Sequence, residues 1–140
     1  MEYFKVNGRD YNVNVISIEE NFNILSSENS GRTLGDGYPI VFDALGTFYG
    51  HKVTIAKENG FENEYDELFD LISAPRKIKK ESDALEFDIA HNQETIKYRA
   101  YVSNGSRSLK RIDIKNKKVY WDKLTINIIP IRAQVVPEDE

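Results

Sequence analysis

The sequence predicts an antiparallel β-sandwich or barrel of about eight strands carrying one amphipathic α-helix. Three observations lead there. Apolar and polar residues alternate along several stretches, the period of a strand with one buried face. Asn-Gly and related pairs punctuate those stretches, as hairpin turns require. A single segment, residues 64–73, repeats its apolar residues at helical spacing. With 140 residues the chain is the size of one domain, 1–140. One core serves a chain of that length without staples.

The elements follow in order. Tyr3-Phe4-Lys5-Val6 alternates and runs into Asn7-Gly8, two residues that tolerate φ > 0, so a hairpin into a second strand from Tyr11 to Ile18 is expected. Tyr11, Val13 and Val15 share one face. The pattern continues through Phe22, Ile24 and Leu25, with a bend or bulge expected near Glu19-Glu20-Asn21. From 26 to 46 the composition changes. Ser26, Ser27, Asn29, Ser30, Gly31, Gly35, Gly37, Pro39 and Gly46 spell a long loop, in which only Tyr38 to Phe42 has strand character. Long structureless loops are uncommon in compact domains and are usually functional or disordered. Fully extended, about 20 residues reach ~65 Å, enough to touch a neighbouring subunit.

Thr47 to Ala56 reads as a strand with Val53 and Ile55 on one face, and Asn59-Gly60 turns into the helix. Asn63 is the expected N-cap, with Glu64, Asp66 and Glu67 in the first turn, where the helix dipole favours acids. Tyr65, Leu68, Phe69 and Ile72 form the apolar stripe, and Pro75 ends the helix. Leu85, Phe87 and Ile89 then alternate up to a turn at Asn92-Gln93. Ile96, Tyr98, Ala100 and Val102 alternate up to a turn expected at Asn104-Gly105. Leu109 and Ile112 mark another strand, and Lys115 to Lys118 a tight basic turn. The last strand runs from Val119 to Ile131, with Leu124, Ile126 and Ile128 inward and Ile129 and Ile131 covered on the other face. Pro130 marks an edge or a strand end. The acidic tail at 137–140 is expected to fray.

No catalytic constellation emerges. The chain has no Cys, hence no disulfide and no thiolate metal site. His51 and His91 stand far apart with no zinc-ligand spacing around them, and each reads as a strand or surface residue. Gly31-Arg32-Thr33-Leu34-Gly35-Asp36-Gly37 matches neither a P-loop nor a dinucleotide fingerprint. Glu62, Glu64, Asp66, Glu67 and Asp70 are accounted for by the helix start and its solvated face rather than by a glycosidase-type carboxylate pair. The sequon Asn104-Gly105-Ser106 reads as a turn. No cofactor and no enzymatic activity are expected. No apolar run approaches the ~20 residues of a membrane span. Met1 to Lys5 holds no apolar stretch of signal-peptide type. Net charge −4 disfavours a duplex-binding role, although Tyr98, Tyr101, Tyr120 and Trp121 near a basic hairpin are what a nucleic-acid reading would use.

The remaining expectation is binding to protein chains. The contact residues expected are Arg32, Thr33, Leu34, Asp36 and Tyr38 in the long loop and Lys115, Lys117 and Lys118 in the basic hairpin. Acids crowd residues 58–70 and bases crowd residues 107–118. Runs of this kind are ordinarily two solvated faces; the sharper alternative is that the opposite-sign patches meet between copies of the chain or with a partner.

The order of elements resembles the tail-tube and distal-tail fold of phage tail proteins. Ser30-Gly31-Arg32, Asp43-Ala44-Leu45-Gly46-Thr47-Phe48-Tyr49, Glu64-Tyr65-Asp66-Glu67-Leu68 and Ile72-Ser73-Ala74-Pro75 are similar to stretches of small structural proteins of phages and prophages of Gram-positive bacteria. Tyr98-Arg99-Ala100-Tyr101-Val102-Ser103 and Tyr120-Trp121 extend the likeness over nearly the whole chain. The resemblance implies a non-enzymatic subunit of a virion tail or baseplate, made in the bacterial cytoplasm. Its partners would be itself and other tail proteins, with the long loop reaching an adjacent ring. A host-surface carbohydrate-binding β-sandwich is the alternative, with the aromatics as a sugar-stacking platform.

Overall fold

Alternation sets most of the strands where it is cleanest. The computed structural model describes residues 3–26 and 44–137. They form strands β1 (Phe4–Val6), β2 (Val13–Ser26), β3 (Ala44–Lys57), β4 (Leu85–His91), β5 (Glu94–Asp113) and β6 (Lys118–Pro130), and helix α1 (Glu62–Ser73). The strands make one antiparallel sheet in the order β1-β4-β5-β6-β3-β2. The fold is therefore mainly β with one helix, as expected. The sheet has six strands rather than about eight, because one expected turn is strand interior. The short strand expected at Tyr38 to Phe42 lies outside the described residues.

That turn is Asn104-Gly105. The pair sits within β5, where the register to β6 slips between Val102 and Asn104. A glycine beside a polar residue signals a bulge as readily as a turn. Here close approach is what requires the glycine. A Cβ on Gly105 would stand 2.9 Å from the Thr125 carbonyl oxygen. A second bulge falls in β2 at Ile16, between Val15 and Ser17, and not near Glu19-Glu20-Asn21 as expected. Ser26 closes β2 and Ala44–Gly46 open β3, so the segment expected as a loop from 26 to 46 gives up both ends to strands. Pro130 is a buried strand end; on the other face Ile129 is exposed and Ile131 half-buried, so among the described residues that face is only partly covered.

The Asn7-Gly8 turn forms as its chemistry dictates. Both residues take positive φ, 53° and 79°, and Val6 and Arg9 exchange backbone hydrogen bonds of 3.1 and 3.0 Å. The expected hairpin does not continue, because β1 pairs with β4 and β2 with β3. β1 and β2 thus occupy opposite edges of the sheet, joined only by residues 7–12. Five strand spacings in a flat sheet amount to about 24 Å. A link whose first turn brings Arg9 back beside Val6 reaches only about 20 Å. The sheet must curl until its edges approach, and one continuous core records this. Phe4 and Val6 of β1 pack with Val13 of β2, Val53 and Ile55 of β3, Phe87 and Ile89 of β4, and Leu124, Ile126 and Ile128 of β6.

Helix α1 covers that curled face with Tyr65, Leu68 and Ile72 buried and Phe69 packed against them. Phe61 occupies the N-cap position without a side-chain hydrogen bond, so Asn63 lies inside the first turn rather than capping it. The exit is as expected: Ala74 is extended (φ −66°, ψ 131°) ahead of Pro75. Asn12 holds the link to the helix start, its side chain donating to Glu64 at 2.8 Å. Arg9 reaches Glu67 at 2.8 Å.

Two substitutions test this architecture by urea unfolding. Phe87→Ala removes a fully buried ring and is expected to cost about 3–5 kcal/mol. Gly105→Ala forces a backbone shift and is expected to cost about 1–3 kcal/mol. A neutral Gly105→Ala would mean that β5 and β6 do not approach closely there.

Candidate functional site

The contact residues expected in the long loop, Arg32, Thr33, Leu34, Asp36 and Tyr38, lie outside the described residues. Lys115, Lys117 and Lys118 sit where the sequence puts them, at the turn between β5 and β6. That turn ends a projecting ribbon. β4 accompanies β5 only as far as Ala100, and β3 accompanies β6 only over Leu124–Ile128. Beyond those points, among the described residues, β5 and β6 pair only with each other, out to Asp113 and Lys118. The ribbon exposes Leu109, Ile112, Ile114 and Val119, with Ile114 at 84%. Lys117 takes φ 53° at its tip.

A second ribbon projects from the same sheet. β3 pairs with β6 only from His51 onward, so Asn21–Ser26 and Ala44–Gly50 extend past it. Phe22 is 69% exposed there, beside exposed Ile24, Leu25 and Leu45. The free edge of β3 is covered in part by the C-terminal segment. The Gln134 side chain accepts from the Tyr49 amide and donates to the Tyr49 carbonyl, both at 3.0 Å.

The charged patches are partly satisfied within the chain. Glu64 and Glu67 bind Arg9, and Asp66 approaches Arg107 at 3.9 Å. Arg107, counted among the solvated bases by sequence, is half-buried. Its guanidinium lies 3.5 Å from the Phe69 ring centre and 4.0 Å from that of Trp121, a cation–π sandwich at the base of the ribbon. Its Nη1 has no hydrogen-bond partner among the described residues. The aromatics a nucleic-acid reading needs are mostly occupied. Tyr98 is buried, Trp121 stacks on Arg107, and Tyr120 carries Lys57 and Arg111 over its ring. Glu62, Asp66 and Asp70 remain exposed along one line of α1 at i, i+4 and i+8.

Sequence reasoning missed a buried polar cluster. His51 is 1% exposed. Its Nδ1 lies 2.6 Å from the Tyr98 hydroxyl and its Nε2 2.9 Å from Glu20 Oε2. The same carboxylate oxygen lies 2.7 Å from His91 Nδ1, and the Tyr49 ring packs on His91 at 4.8 Å. Glu20 is on β2 and His91 on β4, which are not neighbours in the sheet. Their hydrogen bond ties the curled sheet together at the end away from α1. The signal was present in the strand phases. His51 shares the inward phase of Val53 and Ile55, and Glu20 that of Ile18, so each placed a polar group where burial demands a partner.

Burial pushes the His51 imidazole below its ordinary value, although the bond to Glu20 pulls the other way. For Glu20 burial favours the neutral acid, but the hydrogen bonds from His91 and His51 together outweigh it and lower the carboxyl. Burial raises the Tyr98 phenol, so it stays protonated. The network therefore runs from the Tyr98 hydroxyl to a neutral His51 and on to the Glu20 carboxylate. Among the described residues no group of His, Asp or Glu is placed to hold a metal ion, and no helix is long and apolar enough to cross a membrane.

Two depressions accompany these features. A cleft of about 600 Å³ opens beside the C-terminal half of α1, walled by Phe69, Ile72, Pro75, Ile78, Leu85 and Val102. A groove of about 570 Å³ crosses the opposite face of the sheet, where Asn21, Asn23, Asn104 and Asn127 lie near Phe48. Asn127 donates to Asn104 within it. No protein-family model matches the chain, and no curated protein matches it.

The cluster makes stability pH-dependent. Unfolded His51 binds a proton near 6.5 and folded His51 only at lower pH, so stability falls as pH drops below about 6.5. Folded Glu20 resists protonation more than the unfolded 4.5, so a further loss follows as pH falls below that value. Thermal unfolding between pH 8 and 4 is expected to show the decline. Glu20→Gln is expected to lower stability at neutral pH and to depress the His51 titration further, followed by imidazole NMR. A His51 that titrates at or above the free imidazole value would sink this account.

Proposed function

We propose that the protein is a non-enzymatic structural subunit of a phage or prophage tail or baseplate, assembling with copies of itself and with other virion proteins. The observation that carries the assembly part is the β5–β6 ribbon. A lone two-stranded ribbon is marginally stable in water. This one also exposes Ile112, Ile114 and Val119 and, among the described residues, leaves both its edges unpaired. A surface of that kind is stabilised when another chain covers it. The virion setting rests on the sequence resemblance, and with it the virion as the protein's location after synthesis in the bacterial cytoplasm. The segment Arg32 to Tyr38 and the lysines Lys115, Lys117 and Lys118 are the contact residues on this reading.

A carbohydrate-binding module is the second reading, favoured by the groove near Phe48. Carboxamides both donate and accept, which suits hydroxyl groups, and an adjoining ring offers a stacking face.

Light scattering and negative-stain electron microscopy across a concentration series separate the two. Rings, tubes or defined oligomers, formed alone or on mixing with other tail proteins, are the expected result. Removing residues 108–119, with a two-residue turn in their place, is expected to leave the folded core and abolish assembly. A chain that stays monomeric in every mixture and binds glycans, with binding lost in Phe48→Ala, would transfer the assignment to the second reading.

A further inference from the structure

We propose that the tip of the β5–β6 ribbon docks, in a second copy of the chain, on the acidic ridge of α1 and the apolar cleft beside it. The inference rests on the assembly reading above and names the partner and both surfaces.

Charge is the first argument. The tip carries Lys115, Lys117 and Lys118, with Lys110 behind them, all exposed. The ridge carries Glu62, Asp66 and Asp70 on successive turns, about 12 Å from first to last. Bases are absent from the last turn of α1. Of the three ridge acids, only Asp66 has an ion pair among the described residues, at 3.9 Å to Arg107.

Shape is the second argument. Ile114 is the most exposed large apolar side chain among the described residues. The cleft is walled by Phe69, Ile72, Pro75 and Ile78 and reaches inward to Leu124 and Ile126. On the helix surface Phe69 and Ser73 lie between the buried stripe and the acidic ridge, and both border the cleft. A tip that lays its lysines along the ridge therefore brings its isoleucines to the cleft mouth.

The third argument disfavours docking within one chain. Arg107 is fastened to α1 between Phe69 and Trp121. Ile114 lies seven residues further out, about 20 Å along the strand. The tip lies that far past the point where its own ribbon touches α1. Joining two different surfaces of identical chains is head-to-tail, and such contacts propagate into a closed ring or a filament.

Paired charge reversals test the docking by sedimentation velocity at low and high salt. The ribbon variant carries Lys115→Glu and Lys117→Glu, and the ridge variant Glu62→Lys and Asp70→Lys. All four positions are exposed, and circular dichroism checks that each variant folds. Wild type is expected to self-associate, less so at high salt. Each variant alone is expected to associate at least about tenfold more weakly, and an equimolar mixture to regain association because opposite charges again face each other. Ile114→Asp, which spares every charge of the ridge, is expected to weaken association as well. Wild-type association that neither reversal alters, or a mixture that stays apart, overturns the docking and leaves the assembly reading intact. A wild type monomeric at every concentration also overturns it, and the assembly reading is then decided by mixing with other tail proteins. Association lost in the reversals but kept in Ile114→Asp would remove the cleft from the contact.

Discussion

The rest of the structure depends on the short link between β1 and β2. Two strands at opposite edges of a six-stranded sheet cannot be joined by residues 7–12 unless the sheet bends round on itself. Bending buries one face against itself, so a single sheet with one helix suffices for a core and no second sheet is needed to make a sandwich. What lies at either end of the bent face follows. At the level of Ile55 and Leu124 the closure is α1, whose Tyr65 hydroxyl donates to the Asp122 carbonyl at 3.2 Å. At the level of His51 and Ile128 the closure is polar, and Glu20 holds two imidazoles with one oxygen.

Local chemistry was legible in the sequence and long-range pairing was not. The inward residues of β4 and β6, the stripe of α1 and the stop at Pro75 all follow from period and from proline. So does the β4–β5 turn, where Asn92 takes φ 54°. The Asn7-Gly8 turn was equally legible, but a turn specifies its own dihedrals and not the partner of the strand that leaves it. Asn104-Gly105 misled for a related reason. Glycine marks close backbone approach as well as reversal, and only the position of β6 distinguishes the two. Both histidines are strand residues, as expected, but their partners were missed because a strand phase shows that a side chain points inward without showing what it meets. Glu20 and His91 come together through the bend, which no local pattern encodes.

Arg107 shows how charge statistics mislead in the same way. By composition it belongs to a basic run with Lys110, Arg111, Lys115, Lys117 and Lys118. By position it is a packing residue, whose planar cation fills the space between two aromatic rings at the root of the ribbon. The run thus divides by depth. Its first member anchors the ribbon to the body, and the later ones stand in solvent around Ile114.

The β3–β6 pairing carries a consequence for how the chain is made. β4 with β5 and β6 is a local meander that needs only short turns to close, and β2 meets β3 across residues 27–43. His51–Ile55 meets Leu124–Ile128 across some seventy residues of chain, and closing a loop of that length is entropically slow compared with forming a hairpin. During synthesis the inner side chains of β3 therefore wait for their β6 partners until residues 124–128 have left the ribosome.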